Sequence, residues 1–306
     1  KYTKDDKNMA NKNFKENKLK RFIAKSIQPL LRVFNKRAYV SLQYRYITGH
    51  KLDWVNLERF TEKLQKLRLD IYPYDDKVSW AAGRVGAREF VKEKGLEELL
   101  VPIVGIYDSF KEIEWDKVPN QFVIKATHAC AFNYICKDKS KLDKKELEKK
   151  CRRWLKTDYG KKTVELHYSK IKPQLIIEHY VGTETSLPTE YKFNVFNGTP
   201  RYLYVVTGRG QDIRYNNLDM NFEPFDGAQF NHWTKTDYPL QKPAQFEKMA
   251  QIAAILGKDF PFVRVDLYLV GKKIYFNELT FTPAKGTLIL DDDSYDFLMG
   301  KWLTLP

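Results

Sequence analysis

Residues 261–286, which read PFVRVDLYLVGKKIYFNELTFTPAKG, constrain the fold more than any other stretch of the sequence. β-Branched and aromatic residues alternate with polar ones on both sides of Gly271, and this pattern is typical of two antiparallel strands joined by a tight turn. We predict a three-residue loop over 271–273. Counting outward from that loop predicts three pairs of facing residues: Val270 with Ile274, Asp266 with Glu278, and Arg264 with Thr280.

The predicted hairpin has one charged face and one apolar face, because side chains alternate along a strand. The charged face carries Arg264, Asp266, Glu278 and Thr280, and the apolar face carries Val265, Leu267, Leu279 and Phe281. Carboxylates that face each other destabilise a sheet, so this pair predicts a compensating cation. A few hard oxygen ligands beside an arginine suit Mg²⁺ that holds nucleotide phosphates better than they suit zinc or a calcium cage. The alternative is an exposed acidic hairpin with Arg264 as its ion-pair partner.

Length and composition indicate a globular chain of two or three lobes. Of the 306 residues, 43% are hydrophobic and 14% are aromatic, which excludes an intrinsically disordered protein. We expect neither a membrane span nor a signal peptide, because the sequence contains no long apolar run and no leader pattern. Cys130, Cys136 and Cys151 lack C-x-x-C spacing, so they predict neither a disulfide framework nor a zinc ribbon and fit a reducing cytoplasm.

The net charge of +14 predicts attraction to polyanions such as nucleotides, acidic glycans or anionic lipids. Much of the charge lies in lysine-rich runs over 1–37 and 137–162, without the aromatic interleaving of a nucleic-acid interface, so we expect no nucleic-acid partner. From Leu19 to Phe34, apolar residues recur at helical spacing opposite Lys and Arg. This basic amphipathic helix either packs on its own domain or lies on an anionic membrane. Residues 1–16 before it are expected to be frayed.

Apolar periodicity and turn residues predict several further elements. These are a helix over 52–69, two strands with a tight connection over 121–136, a helix that opens at Ser140 and Asp143 and ends at Gly160, a hairpin turned at Asn197-Gly198, and a helix from Pro243 to Gly257. The polar stretch 210–242 lacks periodicity, which is typical of a lid or a binding loop.

The order of these motifs resembles a known family. R-x-D at 264–266, the hairpin, E-x-T at 278–280, and then Pro283 and Gly286 resemble the magnesium-binding end of the ATP-grasp fold. More narrowly, FVRVDLY, IYFNELTFTP and the terminal GKWLTLP resemble the TupA-like ATP-grasp family of bacterial surface-polysaccharide biosynthesis. The resemblance continues in matching order over nearly the whole chain after the first helix.

This resemblance implies an α+β fold of antiparallel sheets and helices that holds a nucleotide between two lobes. The implied divisions are a helical N-terminal region at 1–70, a linker with part of the N-lobe at 71–120, the small lobe at 121–180, and the large lobe with the metal site at 181–306.

The resemblance also implies that basic residues hold the nucleotide phosphates. Arg84 stands where the family has the lysine of an Asp-Lys pair, with Lys77 as second candidate, and Lys125 matches the second ATP-binding lysine. Residues 128–131, HACA, stand where the family has His-Gly-Ser-Gly, a loop that closes over the phosphates, and His128 is expected to contact the nucleotide. Because alanine disfavours positive φ, this loop is expected to be stiffer or to differ in shape.

The remaining site residues follow from the same resemblance. Those expected around the adenine and ribose are Ile177, Glu178, His179, Tyr180, Glu190 and Lys192. The expected Mg²⁺ ligands are Asp266 and Glu278. The expected catalytic residues are Lys125 and Arg84, which neutralise the transferring phosphoryl group, and Arg264, which stabilises an oxyanion. Candidate substrate contacts are Arg88, Arg209, Thr280 and Lys285.

With ATP and Mg²⁺ as cofactors, the implied activity joins an amine to a uronic acid of a surface polysaccharide through an acylphosphate. The implied partners are ATP and an acidic sugar or polysaccharide, in the cytoplasm or at the inner face of the membrane. Two alternatives stay open: a glycan kinase that uses the same nucleotide site, and a nucleotide-binding scaffold without activity, which the missing loop glycines favour. A glycosyltransferase is disfavoured, because no Asp-x-Asp follows a Rossmann-like strand.

Overall fold

The computed structural model describes residues 18–183, 186–228 and 234–306, so the predicted frayed start lies outside the described residues. The helices are α1 (Lys18–Phe34), α2 (Lys36–Thr48), α3 (Phe60–Lys66), α4 (Asp76–Ala82), α5 (Arg84–Glu93), α6 (Lys144–Leu155), α7 (Tyr159–Thr163), α8 (Phe246–Gly257) and α9 (Ser294–Trp302). The strands are β1 (Ile103–Tyr107), β2 (Phe122–Ala126), β3 (Asn133–Cys136), β4 (Leu175–His179), β5 (Thr189–Phe196), β6 (Thr199–Thr207), β7 (Arg214–Asp219), β8 (Phe262–Val270) and β9 (Lys273–Thr280).

The strands form two antiparallel sheets, which confirms the predicted α+β class. The small sheet has the strand order β1-β4-β2-β3, and the large sheet has the order β7-β6-β5-β8-β9. The predicted strand pair over 121–136 is the β2–β3 hairpin of the small sheet. The predicted turn at Asn197-Gly198 joins β5 to β6, with both residues at positive φ.

The β8–β9 hairpin confirms two of the three predicted pairs and corrects the third. Asp266 faces Glu278 and Arg264 faces Thr280, but Val270 faces Lys273 because the turn has two residues, not three. A β-bulge at Asn277 then shifts the register by one residue. The shorter turn and the bulge cancel, so the charged end of the hairpin pairs as predicted.

The core of the large sheet lies on one face. Val265 and Leu267 of β8 and Phe193 of β5 are completely buried there, and α8 packs across this face through Phe246 and Met249. Other apolar residues come from the helices near both ends of the chain, since α3 packs against α9. This clustering removes one face of five strands from water and leaves the other face free for polar groups.

Four predicted boundaries were wrong, and one of them is the start of α8, which lies at Phe246 and not at Pro243. The helix predicted over 52–69 begins only at Phe60, because Glu62 Oε2 accepts a hydrogen bond from the backbone N–H of Arg59 at 3.0 Å and so caps the first turn. The helix predicted to end at Gly160 ends at Leu155, and Gly160 lies in the separate helix α7. The stretch 210–242 contains edge strand β7, and its residues 229–233 lie outside the described residues.

The N-terminal region contains the predicted helix, α1, and a following helix, α2, that was not predicted. Asn35 interrupts the helical run between α1 and α2, and its side chain caps α2 by accepting a hydrogen bond from the backbone N–H of Ala38 at 2.9 Å. Within the described residues, no helix combines the length and apolar character needed to cross a bilayer.

Candidate active site

A cavity of about 360 Å³ lies between the two sheets. Val123 and Lys125 of β2 and Ile135 of β3 line it from the small sheet, because the alternate residues of these strands face their own core. Glu190 and Lys192 of β5 line it from the large sheet. Its volume is in the range of small-molecule and cofactor sites.

A row of polar side chains crosses the cavity face of the large sheet. In the sheet register Tyr204 of β6 faces Lys192 of β5, Lys192 faces Asp266 of β8, and Asp266 faces Glu278 of β9. The row therefore places the cation of Lys192 beside the anion of Asp266 and ends at the edge strand with two adjacent carboxylates, Asp266 and Glu278.

Arg264 compensates this carboxylate pair. Its Nε donates to Asp266 Oδ1 at 2.6 Å and one terminal nitrogen donates to Asp266 Oδ2 at 2.7 Å, while that nitrogen lies 3.6 Å from Glu278 Oε1. Lys192 Nζ also donates to Asp266. Burial acts to raise the pKa of Asp266, but the charges of Arg264 and Lys192 outweigh it and hold that pKa below its ordinary value. Asp266 is therefore an ionised carboxylate with no exposed surface.

Glu190, expected at the ribose, already has two basic partners. Arg209 contacts both of its oxygens, at 2.5 Å and 2.9 Å, and Lys192 Nζ lies 2.8 Å from Oε2. Burial alone would raise the pKa of Glu190, and the charges of Lys192 and Arg209 lower it overall. Glu190 thus orients Arg209, a candidate substrate contact, into the cavity that both residues line.

Lys125 and Arg84, which were predicted to contact the phosphates, both line the cavity. Lys125 Nζ bonds Glu178 Oε2 at 2.6 Å, and Arg84 reaches Glu278 Oε2 at 3.6 Å. Arg84 opens helix α5, and its Nε donates to the Ala126 carbonyl at 3.2 Å, so strand β2 holds both basic residues. Lys77, the second candidate for the role of Arg84, pairs with Asp259 at 3.3 Å on the surface instead.

The bulge at Asn277 explains how two successive residues of β9 reach the cavity. Neighbours in a regular strand point to opposite faces, yet Asn277 and Glu278 both line the cavity. Sequence reasoning missed Asn277, because an alternating pattern carries no sign of an inserted residue. It also missed Tyr268, which lines the cavity, and Tyr204, whose hydroxyl accepts from Arg264 at 2.6 Å.

The 128–131 loop keeps a left-handed residue although its glycines are absent. Ala131 has φ 60° and lines the cavity, so an alanine adopts the conformation that a glycine adopts without strain. His128 does not reach the cavity as expected, because it is buried and its Nε2 lies 3.1 Å from the Thr157 carbonyl. Burial also raises the pKa of Cys130 to about 12, so its sulfur, 3.2 Å from the Tyr168 hydroxyl, is a neutral thiol.

Of the four residues expected at the adenine hinge, three line the cavity and one lies in the core. Glu178, His179 and Tyr180 line the cavity, whereas Ile177 is completely buried in the small-sheet core. Burial acts to raise the pKa of Glu178, but Lys125, Arg84 and Arg88 lower it below its ordinary value. The apolar part of the cavity next to the hinge is formed by Val101, Val123, Ile135, Val181, Leu187 and Pro188.

Three candidate substrate contacts lie outside the lining of the cavity. Arg88 is 4.0 Å from Glu178 and stands behind it, and Thr280 accepts from Arg264 at 2.9 Å. Lys285 follows the hairpin at φ 58°, and its carbonyl accepts hydrogen bonds from Gln65 and Arg68. Arg88 thus contacts Glu178 of the cavity wall and Thr280 contacts Arg264, whereas the contacts of the Lys285 carbonyl are with residues outside the cavity lining.

The carboxylates of Glu278 and Asp266 suit a hard cation, but only Glu278 is accessible without a side-chain movement. Glu278 lines the cavity, and its contacts to Arg84 and Arg264 are long, both at 3.6 Å, so its oxygens are accessible to a ligand. Both oxygens of Asp266 already accept from Arg264, and Lys192 donates to one of them, so a cation reaches Asp266 only if Lys192 moves. Among the described residues no group of three or more His, Cys, Asp or Glu side chains is placed to hold a metal.

Comparison with known proteins identifies the family. The model of the TupA-like ATPgrasp family matches residues 58–304. Among solved structures, the chain is similar to a D-alanine–D-alanine ligase from Bacillus anthracis complexed with ATP, at 12% identity and a TM-score of 0.45, covering 73% of this chain and 65% of that one. It is also similar to an L-amino acid ligase from Bacillus licheniformis, at 12% identity and a TM-score of 0.44, covering 69% of this chain and 45% of that one. The chain thus spans less than two thirds of either structure. No curated protein matches it.

Proposed function

The chain belongs to the TupA-like ATP-grasp family, and from that premise we propose that it is an ATP-dependent carboxylate–amine ligase acting on a bacterial surface polysaccharide. One observation carries the proposal: four basic residues, Arg84, Lys125, Lys192 and Arg209, line the cavity between the sheets together with Glu278. This combination suits a triphosphate with its cation at one end of the cavity, while the apolar wall beside the hinge suits a purine.

The proposed reaction has two steps. A carboxylate oxygen of the sugar attacks the γ-phosphorus of ATP, the bond from that phosphorus to the bridging oxygen breaks, and ADP leaves. The amine nitrogen then attacks the acyl carbon, phosphate leaves with the electron pair of the broken C–O bond, and the nitrogen loses a proton. Lys125 and Arg84 neutralise the phosphoryl group, because both line the cavity on the side of β2.

Mg²⁺ would be held by Glu278 and, once Lys192 turns away, by Asp266. When bound, it would neutralise charge on the β- and γ-phosphates. Arg264 has its nitrogens on Asp266, Tyr204 and Thr280. Because these contacts occupy its nitrogens, Arg264 would stabilise an oxyanion through its positive charge and not through a direct hydrogen bond.

A nucleotide-binding scaffold is the second candidate, and two observations favour it. Lys192 already satisfies Asp266, and the 128–131 loop holds Ala131 in a strained conformation. Incubation of the protein with Mg-ATP, oligogalacturonate and an amino-acid mixture separates the candidates. A ligase releases ADP and adds the mass of an amide, a kinase adds the mass of a phosphate, and a scaffold binds ATP without turnover.

The acceptor class is tested in cells by mass spectrometry of the surface polysaccharide with and without the gene. The proposal expects loss of one amide-linked substituent from a uronic acid. An unchanged polysaccharide would contradict the assigned acceptor, while ADP release in vitro would still support the ligase chemistry.

We propose that the protein works in the cytoplasm, at the inner face of the membrane, with α1 as the contact. Four apolar side chains in the described part of this helix are exposed: Ile27 at 40%, Leu30 at 62%, Val33 at 62% and Phe34 at 81%. Lys36 and Arg37 follow after Asn35 and are exposed, and Arg37 also pairs with Asp70 at 2.6 Å. Apolar residues beside cations suit an anionic lipid surface.

Sedimentation with vesicles tests this contact. The protein should sediment with phosphatidylglycerol-containing vesicles and not with pure phosphatidylcholine, and Phe34→Glu should abolish the binding. Ile255→Glu, which changes an exposed apolar residue of helix α8, is the matched control. Equal binding by wild type and Phe34→Glu would remove α1 as the membrane contact.

A further inference from the structure

A second groove, of about 340 Å³, lies beside the start of helix α5. Arg84 points into the cavity between the sheets, whereas its neighbours Gly83 and Val85 line this groove. The opposite wall of the groove is the segment 170–174, which leads into β4. The groove is therefore separate from the nucleotide cavity but shares the first turn of α5 with it.

Trp80 forms an ordered aromatic surface in the groove. Its indole N–H donates to Glu89 at 2.9 Å, and its ring packs edge-on against Phe90 with a centroid distance of 5.9 Å. Gly86 makes this placement possible, since a Cβ there would lie 2.5 Å from Cδ1 of Trp80 and 2.2 Å from its carbonyl oxygen. Three contacts thus fix an indole that stays half-buried and faces the groove. An aromatic ring held in place with part of its area in water is typical of a ligand platform.

The rim of the groove carries hydrogen-bond donors and acceptors, with as many acidic as basic side chains. Asp76 pairs with Lys170 at 2.7 Å, and Lys172 lies 2.8 Å from Asp108. The lining contains two acids, Asp76 and Glu89, and two bases, Lys170 and Lys172, so it has no formal net charge. The apolar floor next to Trp80 is Val85 and Ile171.

This chemistry fits a sugar ring better than a phosphate or a hydrocarbon. A phosphate would face two carboxylates, and a hydrocarbon would remove water from the ion pairs of the rim without replacing its hydrogen bonds. A sugar ring has an apolar C–H face that packs on an indole, and hydroxyl groups that both donate and accept. Charged partners strengthen such hydrogen bonds.

We propose that the Trp80 groove binds a sugar residue of the acceptor glycan next to the residue that reacts. This inference rests on the proposed function, in which the acceptor is a polymer. Gly83 and Val85 face the groove while Arg84 between them faces the nucleotide cavity, so the first turn of α5 is the wall between the two sites. A glycan held in the groove would keep its next ring near the cavity, so binding remote from the reacting carboxylate positions it.

Calorimetric titration of the full chain with short oligogalacturonate, without ATP, tests the inference. Trp80→Ala should weaken binding at least about tenfold while Mg-ATP affinity is unchanged. Trp80→Phe, which keeps an aromatic face, should bind more tightly than Trp80→Ala. Val85→Arg fills the groove without removing a contact of Trp80 and should also lose binding, which covers the case in which Trp80→Ala fails to fold. Tyr275→Ala, on edge strand β9 and outside both sites, is the control.

Two results would overturn the inference: no binding of oligogalacturonate by the wild type, or wild-type affinity in both groove variants. Dextran oligomers, which lack carboxylates, should also bind in a Trp80-dependent way in a parallel titration, because the lining of the groove has no formal net charge. The ligase proposal fails separately. If oligomer binding depends on Trp80 but no acceptor-dependent ADP release occurs, the groove remains a sugar site on a nucleotide-binding scaffold.

Discussion

The two faces of the large sheet are built from the same strands, but apolar packing dominates one face and ion pairs dominate the other. On one face, Val265 and Leu267 pack into a mainly apolar core. On the other face, Asp266 lies between them in sequence and contacts Arg264 and Lys192. Because side chains alternate along a strand, one nine-residue segment serves both faces. Apolar packing tolerates many sequences, whereas the charged face works only if each ion has its partner.

The difference is also one of energy. Burying apolar area stabilises the fold by about 25 cal/mol per Å². Buried ion pairs lose much of their attraction to desolvation and rarely stabilise more than apolar residues of the same volume. A charged row across the centre of a sheet is therefore better explained by ligand binding than by stability.

The largest effect is expected for Asp266→Ala, on the charged face. The change leaves Lys192 and Arg264 buried beside each other without their shared carboxylate. We expect the free energy of unfolding to fall by about 3–5 kcal/mol and ATP turnover to be lost. Urea denaturation measures the first and ADP release the second. Adding Lys192→Met should recover part of the stability, and a loss below about 1 kcal/mol in the single variant would show that the ions are not coupled.

Leu267→Ala, one residue along and on the core face, is the matched change. Leu267 is completely buried, so the truncation should lower the free energy of unfolding by about 2–5 kcal/mol. ADP release per folded molecule should stay near that of the wild type, because the side chain points away from the cavity. A selective loss of turnover in this variant would break the proposed division between the two faces.

His167→Phe removes a polar side chain that is buried on the core side. His167 is completely buried against Tyr72 and Phe281, and neither ring nitrogen has a hydrogen-bond partner in the described part of the chain. Burial lowers the pKa of His167 to about 3. At a pH below the ordinary pKa of histidine, His167 is protonated in the unfolded chain but not in the folded chain. This residue therefore makes the fold less stable as the pH falls from about 6.5 to 3.

The variant should therefore lose less stability than the wild type on acidification, by about 2 kcal/mol at pH 5. Denaturation at pH 7 and pH 5 measures the difference. Burial raises the pKa of Asp296 to about 6, and this group acts with the opposite sign in the same range, but it is present in both proteins and cancels. Identical pH dependence of the two proteins would contradict the buried neutral imidazole.

The parts of the fold and the site that the sequence predicted are those set by residues close together in the chain. Alternation in sequence predicted both faces of the hairpin and the Asp266–Glu278 pair. It could not predict the bulge at Asn277, because an extra residue has no compositional sign. Strand β7 was missed because its residues, RYNNLD, are mostly polar at the edge of the sheet. The Trp80 groove was missed because its walls, α4 and the segment 170–174, are far apart in sequence.

The placement of the basic residues was predictable only in part. Arg84 and Lys125 were assigned from the order of motifs, and both line the cavity. His128 was assigned in the same way, yet it turns inward to Thr157, since its burial depends on helix α6 and the residues after it. The partners of Glu190 were not predicted, because Arg209 reaches it from the end of another strand.

The central claim is that a nucleotide and its cation bind between the sheets at Glu278. Calorimetric titration of ATP into the wild type and Glu278→Gln, each with Mg²⁺ and with EDTA, tests it most directly. Mg²⁺ should tighten ATP binding to the wild type and have little effect on ATP binding to the variant, whose melting temperature should stay close to that of the wild type. Wild-type Mg²⁺ dependence in Glu278→Gln, or no ATP binding by the wild type, would contradict it.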